Sequence, residues 1–328
     1  MRKRTRSLVD MLALPLAITG TVMLAAGLGR RLYRRTQIFD PSPDPERSWN
    51  PVAYGIPADA WEEHWIETPD GEQLYAWYCR AKNPVASALF CHGNRGNLTV
   101  SADVVPHLLA ANLSVLLFDY RGYGKSSGTP SYDGVLDDGE TAARFHDSIR
   151  PPGLPSILYG FSLGGAVAGQ IVRRYPFDGL ILQSTFTNLT GMARLIHPRV
   201  PLHLLAGNLF DTLDSMHKLK IPLLILHGSD DEAIPSSMAR ELFAASPGPK
   251  RIHIVEGGLH SDLYTRDAAS LIQALSQFLA EVPQRTEQIP LEPPSKVEES
   301  VDAALRLVRR FVRRKTAKKP AVIASAPR

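Results

Sequence analysis

Short apolar runs alternate with helical patterns through the middle of this 328-residue chain. An apparent hairpin over residues 62–68 and 73–81 is followed by six apolar runs: SALFCHG, SVLLFDY, SILYGFS, GLILQST, IPLLILHG and RIHIVEG. Helical patterns lie between or after these runs, near residues 101–110, 134–148, 163–174 and 262–281. Strands that alternate with helices form mostly parallel sheets covered on both faces. The sequence therefore predicts an α/β fold with an eight-stranded, mostly parallel sheet.

One connection in this pattern is unusually long. About 35 residues separate GLILQST from IPLLILHG, and they include the Leu-rich stretch LIHPRVPLHLLAGNLF, which Pro198 and Pro201 interrupt. Because such connections normally need a few loop residues and one helix, the surplus predicts a small helical cap at about residues 186–218. Its apolar side chains would suit an apolar substrate. A helix that only completes the core is the alternative.

The stretch YGFSLGGAVAG, residues 159–169, sets Ser162 among glycines between an apolar strand and a helix. A serine that opens a helix is commonly an N-cap. Here, however, Gly160, Ser162 and Gly164 form the G-x-S-x-G pattern of a nucleophile elbow, in which a tight turn exposes the hydroxyl above the strand ends. Ser162 is therefore the candidate nucleophile.

A nucleophilic serine needs a base, and the base needs a carboxylate that orients it. In this kind of fold the acid and then the histidine follow the serine along the chain. His253 lies within the alternating strand pattern RIHIVE, whereas His260 follows EGG in a loop, so His260 is the candidate base. The stretch LHGSDDEAIP offers Asp230, Asp231 and Glu232 as the acid, and spacing alone does not choose among them.

The turn in FCHGNRGN, directly after a predicted strand, is the candidate for an oxyanion hole. We expect the backbone N–H groups of Asn94 and Leu163 to point at a substrate carbonyl oxygen. His92 is expected to brace this turn. In the same turn, Asn97 and Thr99 also fit the N-x-[ST] glycosylation pattern.

The two ends of the chain are basic. Residues 1–35 contain 19 consecutive uncharged residues, Met11 to Gly29, with RKRTR before them and RRLYRR after them. At about 1.5 Å per residue this length just spans a bilayer core. A signal peptide is the alternative, but the small-residue cleavage pattern is poor. We expect an uncleaved single-pass membrane anchor, whose orientation stays open because basic residues flank both sides.

The remaining boundaries follow from composition. Residues 36–61 are predicted to be a connector, 62–282 the compact domain and 283–295 a Pro-rich linker. In residues 296–328, apolar side chains recur every three or four positions among ten Lys and Arg, which predicts a basic amphipathic tail. The tail either contacts an anionic membrane or packs on the domain. Basic ends around an acidic middle favour surface tethering over nucleic-acid binding.

Two cysteines, Cys79 and Cys91, lie inside predicted strands. Two thiols without metal-ligand spacing indicate neither a disulfide framework nor a metal site, so we expect both to be buried and inert.

These motifs, in this order, resemble the α/β-hydrolase superfamily, and within it the Bem46-like group, which includes bacterial membrane-anchored hydrolases and the animal ABHD13- and ABHD17-type proteins. The matching stretches cover roughly residues 62–280: FCHGNRGN, LLFDYRGYGKSSGTPS, YGFSLGGAVA, QSTFTNL, LHGSDDEAIP and GGLHSD.

The resemblance carries several expectations. The family pattern H-G-x-x-D assigns the acid to Asp231, four residues after His227. It makes DYRGYGKSSG a structural loop rather than a phosphate-binding loop, which would need glycine where Asp119 stands. It sets the LLFDY strand between the strands that carry Cys79 and Cys91. It implies no metal and no organic cofactor.

Together these features predict a membrane-anchored serine hydrolase that cleaves carboxylic ester or thioester bonds of acyl lipids or acylated proteins. Ser162 attacks, His260 transfers the proton, Asp231 orients the imidazole, and an acyl-enzyme forms. The expected partners are this substrate and membrane lipid, not nucleic acid. The alternatives are a serine peptidase of related fold, which would need an acidic subsite for the amine, and an inactive membrane-tethered interaction protein.

Deleting residues 296–328 should weaken binding to liposomes of anionic lipid, because the tail carries most of the positive charge of the C-terminal end. Cosedimentation of the full chain and the truncated chain measures this, with neutral liposomes as the control. Unchanged binding to anionic liposomes would contradict a membrane role for the tail.

Overall fold

The computed structural model describes residues 38–196 and 209–283. The strands are β1 (Asp40–Pro41), β2 (Trp61–Glu67), β3 (Gln73–Cys79), β4 (Ala86–Cys91), β5 (Arg95–Gly96), β6 (Leu113–Phe118), β7 (Ser156–Phe161), β8 (Gly179–Gln183), β9 (Leu223–Gly228) and β10 (Lys250–Val255). The α-helices are α1 (Val105–Ala110), α2 (Tyr132–Ile149), α3 (Leu163–Ile171), α4 (Leu189–Ile196), α5 (Thr212–Lys218), α6 (Ser236–Ala245) and α7 (Leu263–Glu281). Short 3-10 helices cover Pro51–Tyr54 and Leu98–Val104.

Several predicted segments fall outside the described residues: the membrane anchor, the centre of the cap, all but the first residue of the Pro-rich linker, and the basic tail. Within the described ranges, no helix has both the length and the apolar character that a membrane crossing needs.

Eight strands form one sheet in the order β10-β9-β8-β7-β4-β6-β3-β2. They are the eight strands predicted from the sequence. Only β3 runs against the others, since it pairs antiparallel with both β2 and β6 while the remaining pairs are parallel. From β4 the chain goes first to β6 on one side and then to β7 on the other. The carboxyl ends of β4 and β7 therefore flank a topological switch point, where open α/β sheets bind ligands.

Both faces of the sheet are covered, as the alternation predicts. Successive residues of β4 enter opposite cores: Leu89 belongs to the core that includes residues of α2 and α3, and Phe90 to the core that includes residues of α1 and α7. The central strands read as continuous apolar runs because each of their faces meets a helical layer. The predicted helix near residues 101–110 is less regular than expected, since its first part is the 3-10 helix and only Val105–Ala110 is α-helical.

The two cysteines are buried and unbridged. Cys79 lies in β3 and Cys91 in β4, and β6 runs between these strands, as the resemblance implies. Burial raises the pKa of each thiol to about 12, so both are uncharged and unreactive at neutral pH.

The loop after β6 is fixed by a buried ion pair. The Arg121 guanidinium donates to Asp138 of α2 at 2.6 Å and to Asp70 at 2.9 Å, and the Asp138 side chain is fully buried. From this loop, the hydroxyl of Tyr120 donates to the carbonyl of His92 at 3.2 Å, and that of Tyr123 donates to the carbonyl of Asn94 at 2.9 Å. The ion pair therefore supports the turn after β4.

Replacing Asp138 with alanine should lower the free energy of unfolding by about 3–5 kcal/mol, because it leaves a mostly buried guanidinium without its main partner. Urea denaturation followed by circular dichroism measures this loss. Glu140→Ala, which removes an exposed pair with Arg144 on the same helix, is the matched control and should cost about 0.5 kcal/mol. Equal losses in the two variants would contradict the role of the buried pair.

Candidate active site

Ser162 stands on a strained turn between β7 and α3. Its φ is 54° and its ψ is −118°, outside the regions that residues other than glycine favour. The turn is possible because a Cβ on Gly160 would lie 2.5 Å from the carbonyl oxygen of Gly164, and a Cβ on Gly164 would overlap the carbonyl of Cys91. The side chain makes no capping hydrogen bond to α3. Ser162 therefore occupies the N-cap position of α3, but its hydroxyl does not cap the helix.

The structure brings three of the predicted site residues together. His260 Nε2 lies 3.0 Å from Ser162 Oγ, and His260 Nδ1 lies 2.9 Å from Asp231 Oδ2 and 3.1 Å from Oδ1. When Nδ1–H donates to the carboxylate, Nε2 is free to accept the hydroxyl proton of the serine. This arrangement can deprotonate Ser162 as it attacks an electrophilic carbon.

The carboxylate of Asp231 is buried but well hydrogen-bonded. Its Oδ1 accepts from the N–H groups of Ala233 at 2.9 Å and Ile234 at 2.8 Å, and its Oδ2 lies 3.3 Å from His227 Nε2. Burial by itself would raise its pKa, but hydrogen bonds from His227, His260 and Ile234 outweigh burial and lower it well below the usual range. Asp231 is therefore ionised at neutral pH and can stabilise an imidazolium.

The other two acids of this loop have different positions. Asp230 is exposed and accepts from the hydroxyl of Ser229 at 2.9 Å. Glu232 accepts from the backbone N–H of His260 at 3.2 Å. It therefore binds the main chain of the loop that carries His260 and not the imidazole ring. Sequence reasoning missed this contact, because nothing in the local pattern relates Glu232 to a residue 28 positions away.

The predicted oxyanion donors both lie near the serine. Leu163 is the first residue of α3, and Asn94 follows β4 in a turn that passes close to Ser162, since a Cβ on Gly93 would lie 3.6 Å from the Ser162 Cβ. Among the described residues, neither backbone N–H has an acceptor. His92 braces the turn as expected, through a hydrogen bond of 2.8 Å between its Nδ1 and the carbonyl of Gly93. Burial lowers the His92 pKa to about 4, so its ring is neutral.

A cavity of about 710 Å³ opens over these groups. It is lined by Ser162, His260 and Phe161, by Gly93 and Asn94 of the turn after β4, and by a segment around residues 40–46. Within the described ranges, no group of three or more His, Cys, Asp or Glu is arranged to hold a metal ion.

Comparison with known proteins finds a matching family model, described as Serine aminopeptidase, S33, over residues 82–213. The uncharacterized protein Rv2307c of Mycobacterium tuberculosis is 32% identical to this chain, and the alignment covers 85% of this chain and 97% of that protein. The α/β hydrolase domain-containing protein WAV2 of Arabidopsis thaliana is 29% identical, over 67% of this chain and 78% of its own length.

Among solved structures, the Pyrococcus furiosus esterase Pf2001 superposes with a TM-score of 0.62. Its sequence is 17% identical, and the match covers 74% of this chain and 98% of the esterase. At this identity the likeness concerns the fold.

Replacing Asp231 with asparagine should slow the phosphonylation of Ser162 by a fluorophosphonate roughly 10³- to 10⁴-fold, because the amide no longer selects the imidazole tautomer that accepts the serine proton. Asp230→Asn, at the exposed neighbouring position, is the matched control and should react like the unchanged chain. Mass spectrometry of the labelled peptide over time gives both rates. If Asp230→Asn reacted slowly and Asp231→Asn reacted fast, the acid would be Asp230, and the assignment to Asp231 would be contradicted.

Proposed function

The chain belongs to the α/β-hydrolase superfamily, and on that premise we propose that it is a serine hydrolase that cleaves carboxylic ester or thioester bonds. The observation that carries the proposal is the hydrogen-bonded series from Ser162 Oγ through the His260 imidazole to the Asp231 carboxylate, with distances of 3.0 and 2.9 Å. It supports a reaction through an acyl-enzyme.

The proposed reaction has two halves. In the first, Ser162 Oγ attacks the carbonyl carbon, His260 Nε2 takes the hydroxyl proton and returns it to the leaving alcohol or thiol, and an acyl-serine remains. In the second, His260 takes a proton from water, which attacks the acyl-serine; the acyl–Oγ bond breaks, His260 returns the proton to Ser162 Oγ, and the acid is released. The N–H groups of Asn94 and Leu163 stabilise the oxyanion in both halves, an effect worth about 3–4 kcal/mol for a donor of this kind.

We extend the proposal to membrane-associated acyl substrates, acyl lipids or acylated proteins, and to membership of the Bem46-like group. Support comes from the 19 uncharged residues near the N-terminus, the basic tail, and the order of the motifs. Two large apolar side chains near the site are also exposed: Val100, which lines the cavity, and Leu259, which precedes His260. An acyl chain would cover apolar surface of this kind.

A serine aminopeptidase is the second candidate, favoured by the description of the matching family model. The same nucleophile would then attack an amide carbonyl next to a free amine. Comparing the p-nitrophenyl ester and the p-nitroanilide of one aminoacyl group separates the two functions. Faster release from the anilide would favour the peptidase, and release from the ester alone would favour the esterase.

Purified full-length protein should be labelled by a fluorophosphonate at Ser162, and Ser162→Ala should lose both the label and the hydrolysis of p-nitrophenyl esters. If the substrate carries a long acyl chain, kcat/KM should rise from acetate through butyrate to octanoate, because more apolar surface is buried. Circular dichroism of Ser162→Ala controls for folding. A folded protein that takes no label would overturn the hydrolase proposal in favour of an interaction role.

A further inference from the structure

Asp119 directly follows β6, and its carboxyl group contacts both ends of the segment that contains the candidate oxyanion donor Asn94. After Asn94 along the chain, the backbone N–H of Leu98 donates to Oδ1 of Asp119 at 2.5 Å. Before it, Nε2 of His92 lies 3.5 Å from the same oxygen. The side chains of Asp119 and His92 are 0% and 1% exposed, so bulk water does not reach this contact. One buried carboxyl group therefore spans the turn after β4.

The hydrogen bond of the His92 ring fixes where its proton lies. Nδ1 lies 2.8 Å from the carbonyl of Gly93, and a carbonyl can only accept, so Nδ1 carries the hydrogen. In the neutral ring, Nε2 is consequently an acceptor. It faces the Asp119 carboxyl group and has no hydrogen-bond partner among the described residues, and neither has Oδ2 of Asp119.

Two acceptors that face each other in a buried place attract each other only with a proton between them. An ionised Asp119 would present lone pairs to the lone pair of His92 Nε2, and the two groups would repel each other. A protonated Asp119 can donate towards Nε2, and an imidazolium beside a carboxylate is the same pair with that proton transferred. In either form the pair holds one proton besides the hydrogen on Nδ1, and its attraction ends when that proton leaves.

Burial keeps this proton on the pair. It raises the pKa of Asp119 to about 8, although hydrogen bonds from the backbone N–H groups of Leu98 and Lys125 and the charge of the Lys125 ammonium act in the opposite direction. Burial also lowers the His92 pKa to about 4. The neutral acid beside the neutral ring is therefore the stable form at pH 7.

The other titratable groups that surround the pair do not replace this proton. The Lys125 ammonium lies 3.7 Å from the Glu63 carboxylate, which offsets its charge. Burial raises the pKa of three neighbouring tyrosines, which stay uncharged at neutral pH: Tyr75, Tyr120 and Tyr123. Deprotonation of Asp119 therefore leaves a buried negative charge that these groups do not neutralise.

We propose that Asp119 is a positioning residue for the oxyanion hole, which holds the turn of Asn94 through a proton shared with His92 and releases the turn when that proton is lost. The inference rests on the proposed function and adds a pH-dependent control of the same site. Asp119 does not line the cavity. Its effect passes through His92 to Asn94, whose N–H points at the substrate oxygen only while the pair is protonated.

The variant Asp119→Asn separates the shape of the carboxyl group from its titration. Its amide oxygen still accepts from the N–H of Leu98, and its NH₂ group donates to Nε2 of His92 at every pH. In the unchanged full-length chain, the rate at which a fluorophosphonate labels Ser162 should fall about 100-fold between about pH 7 and pH 10, because one oxyanion donor is withdrawn. In Asp119→Asn the rate should be similar at pH 7 and should not decline towards pH 10.

Mass spectrometry of the labelled peptide gives these rates, with spontaneous hydrolysis of the probe measured in buffer and subtracted. The matched control is Asp103→Asn, at an exposed position in the 3-10 helix that follows the turn, where the carboxylate pairs with Arg47. This variant should keep the alkaline decline of the unchanged chain. Circular dichroism shows whether each variant is folded.

A second measurement needs neither the reaction nor the Asp119→Asn variant. In full-length protein with ¹³C at the aspartate carboxyl carbons, carbon NMR should show one carboxyl group that titrates near pH 8. If Asp119→Asn does not fold, this spectrum and the alkaline decline of the unchanged chain decide the matter.

An equal alkaline decline in the unchanged chain and in folded Asp119→Asn would overturn the inference and leave the proposed nucleophile in place. So would a labelling rate of the unchanged chain that does not fall above about pH 8, or a carbon spectrum in which no aspartate carboxyl group titrates near that pH. If Ser162 takes no label at any pH, the proposed function itself is overturned, whereas the carbon spectrum still reports the proton on Asp119.

Discussion

The backbone of α3 runs so close to the end of β4 that Gly164 has no room for a side chain beside the carbonyl of Cys91. This contact, together with the bond from the N–H of Ser162 to the carbonyl of Gln183 at 2.9 Å, fixes the strained turn between three neighbouring strands. Strained backbone persists only where the surrounding structure determines it. The serine hydroxyl consequently stands at the switch point of the sheet, and the other site groups are arranged around it.

The electrostatics of the site depend on one buried carboxylate. Asp231 follows β9, and His260 follows β10, the edge strand beside it. Two backbone N–H groups satisfy Oδ1 of the carboxylate, so its charge persists although the side chain is fully buried. A charged acid in that place gives the imidazole a defined tautomer and makes its protonated form less costly. Ser162 and His260 come into contact because each lies in a loop at the carboxyl end of a parallel strand.

The segment around residues 40–46, which precedes β2, lines the active-site cavity. Its composition predicts a connector, yet its backbone is bound by the same turn that carries the candidate oxyanion donor Asn94. Asn97, which fits a glycosylation pattern, is fully buried and supplies two of those bonds. The segment around residues 40–46 and the oxyanion turn are therefore one hydrogen-bonded structural unit.

The alternation of strands and helices, the glycines around Ser162 and the loop position of His260 could be predicted from the sequence alone, because periodicity and steric room are properties of neighbouring residues. Spacing could not choose between Asp230, Asp231 and Glu232, nor show that the Ser162 hydroxyl leaves its helix uncapped. It also could not reveal that Asp40, Asp44 and Glu46 line the same cavity as Ser162. Only the tertiary structure decided these points, since each depends on distances between strand ends and loops that lie far apart along the chain.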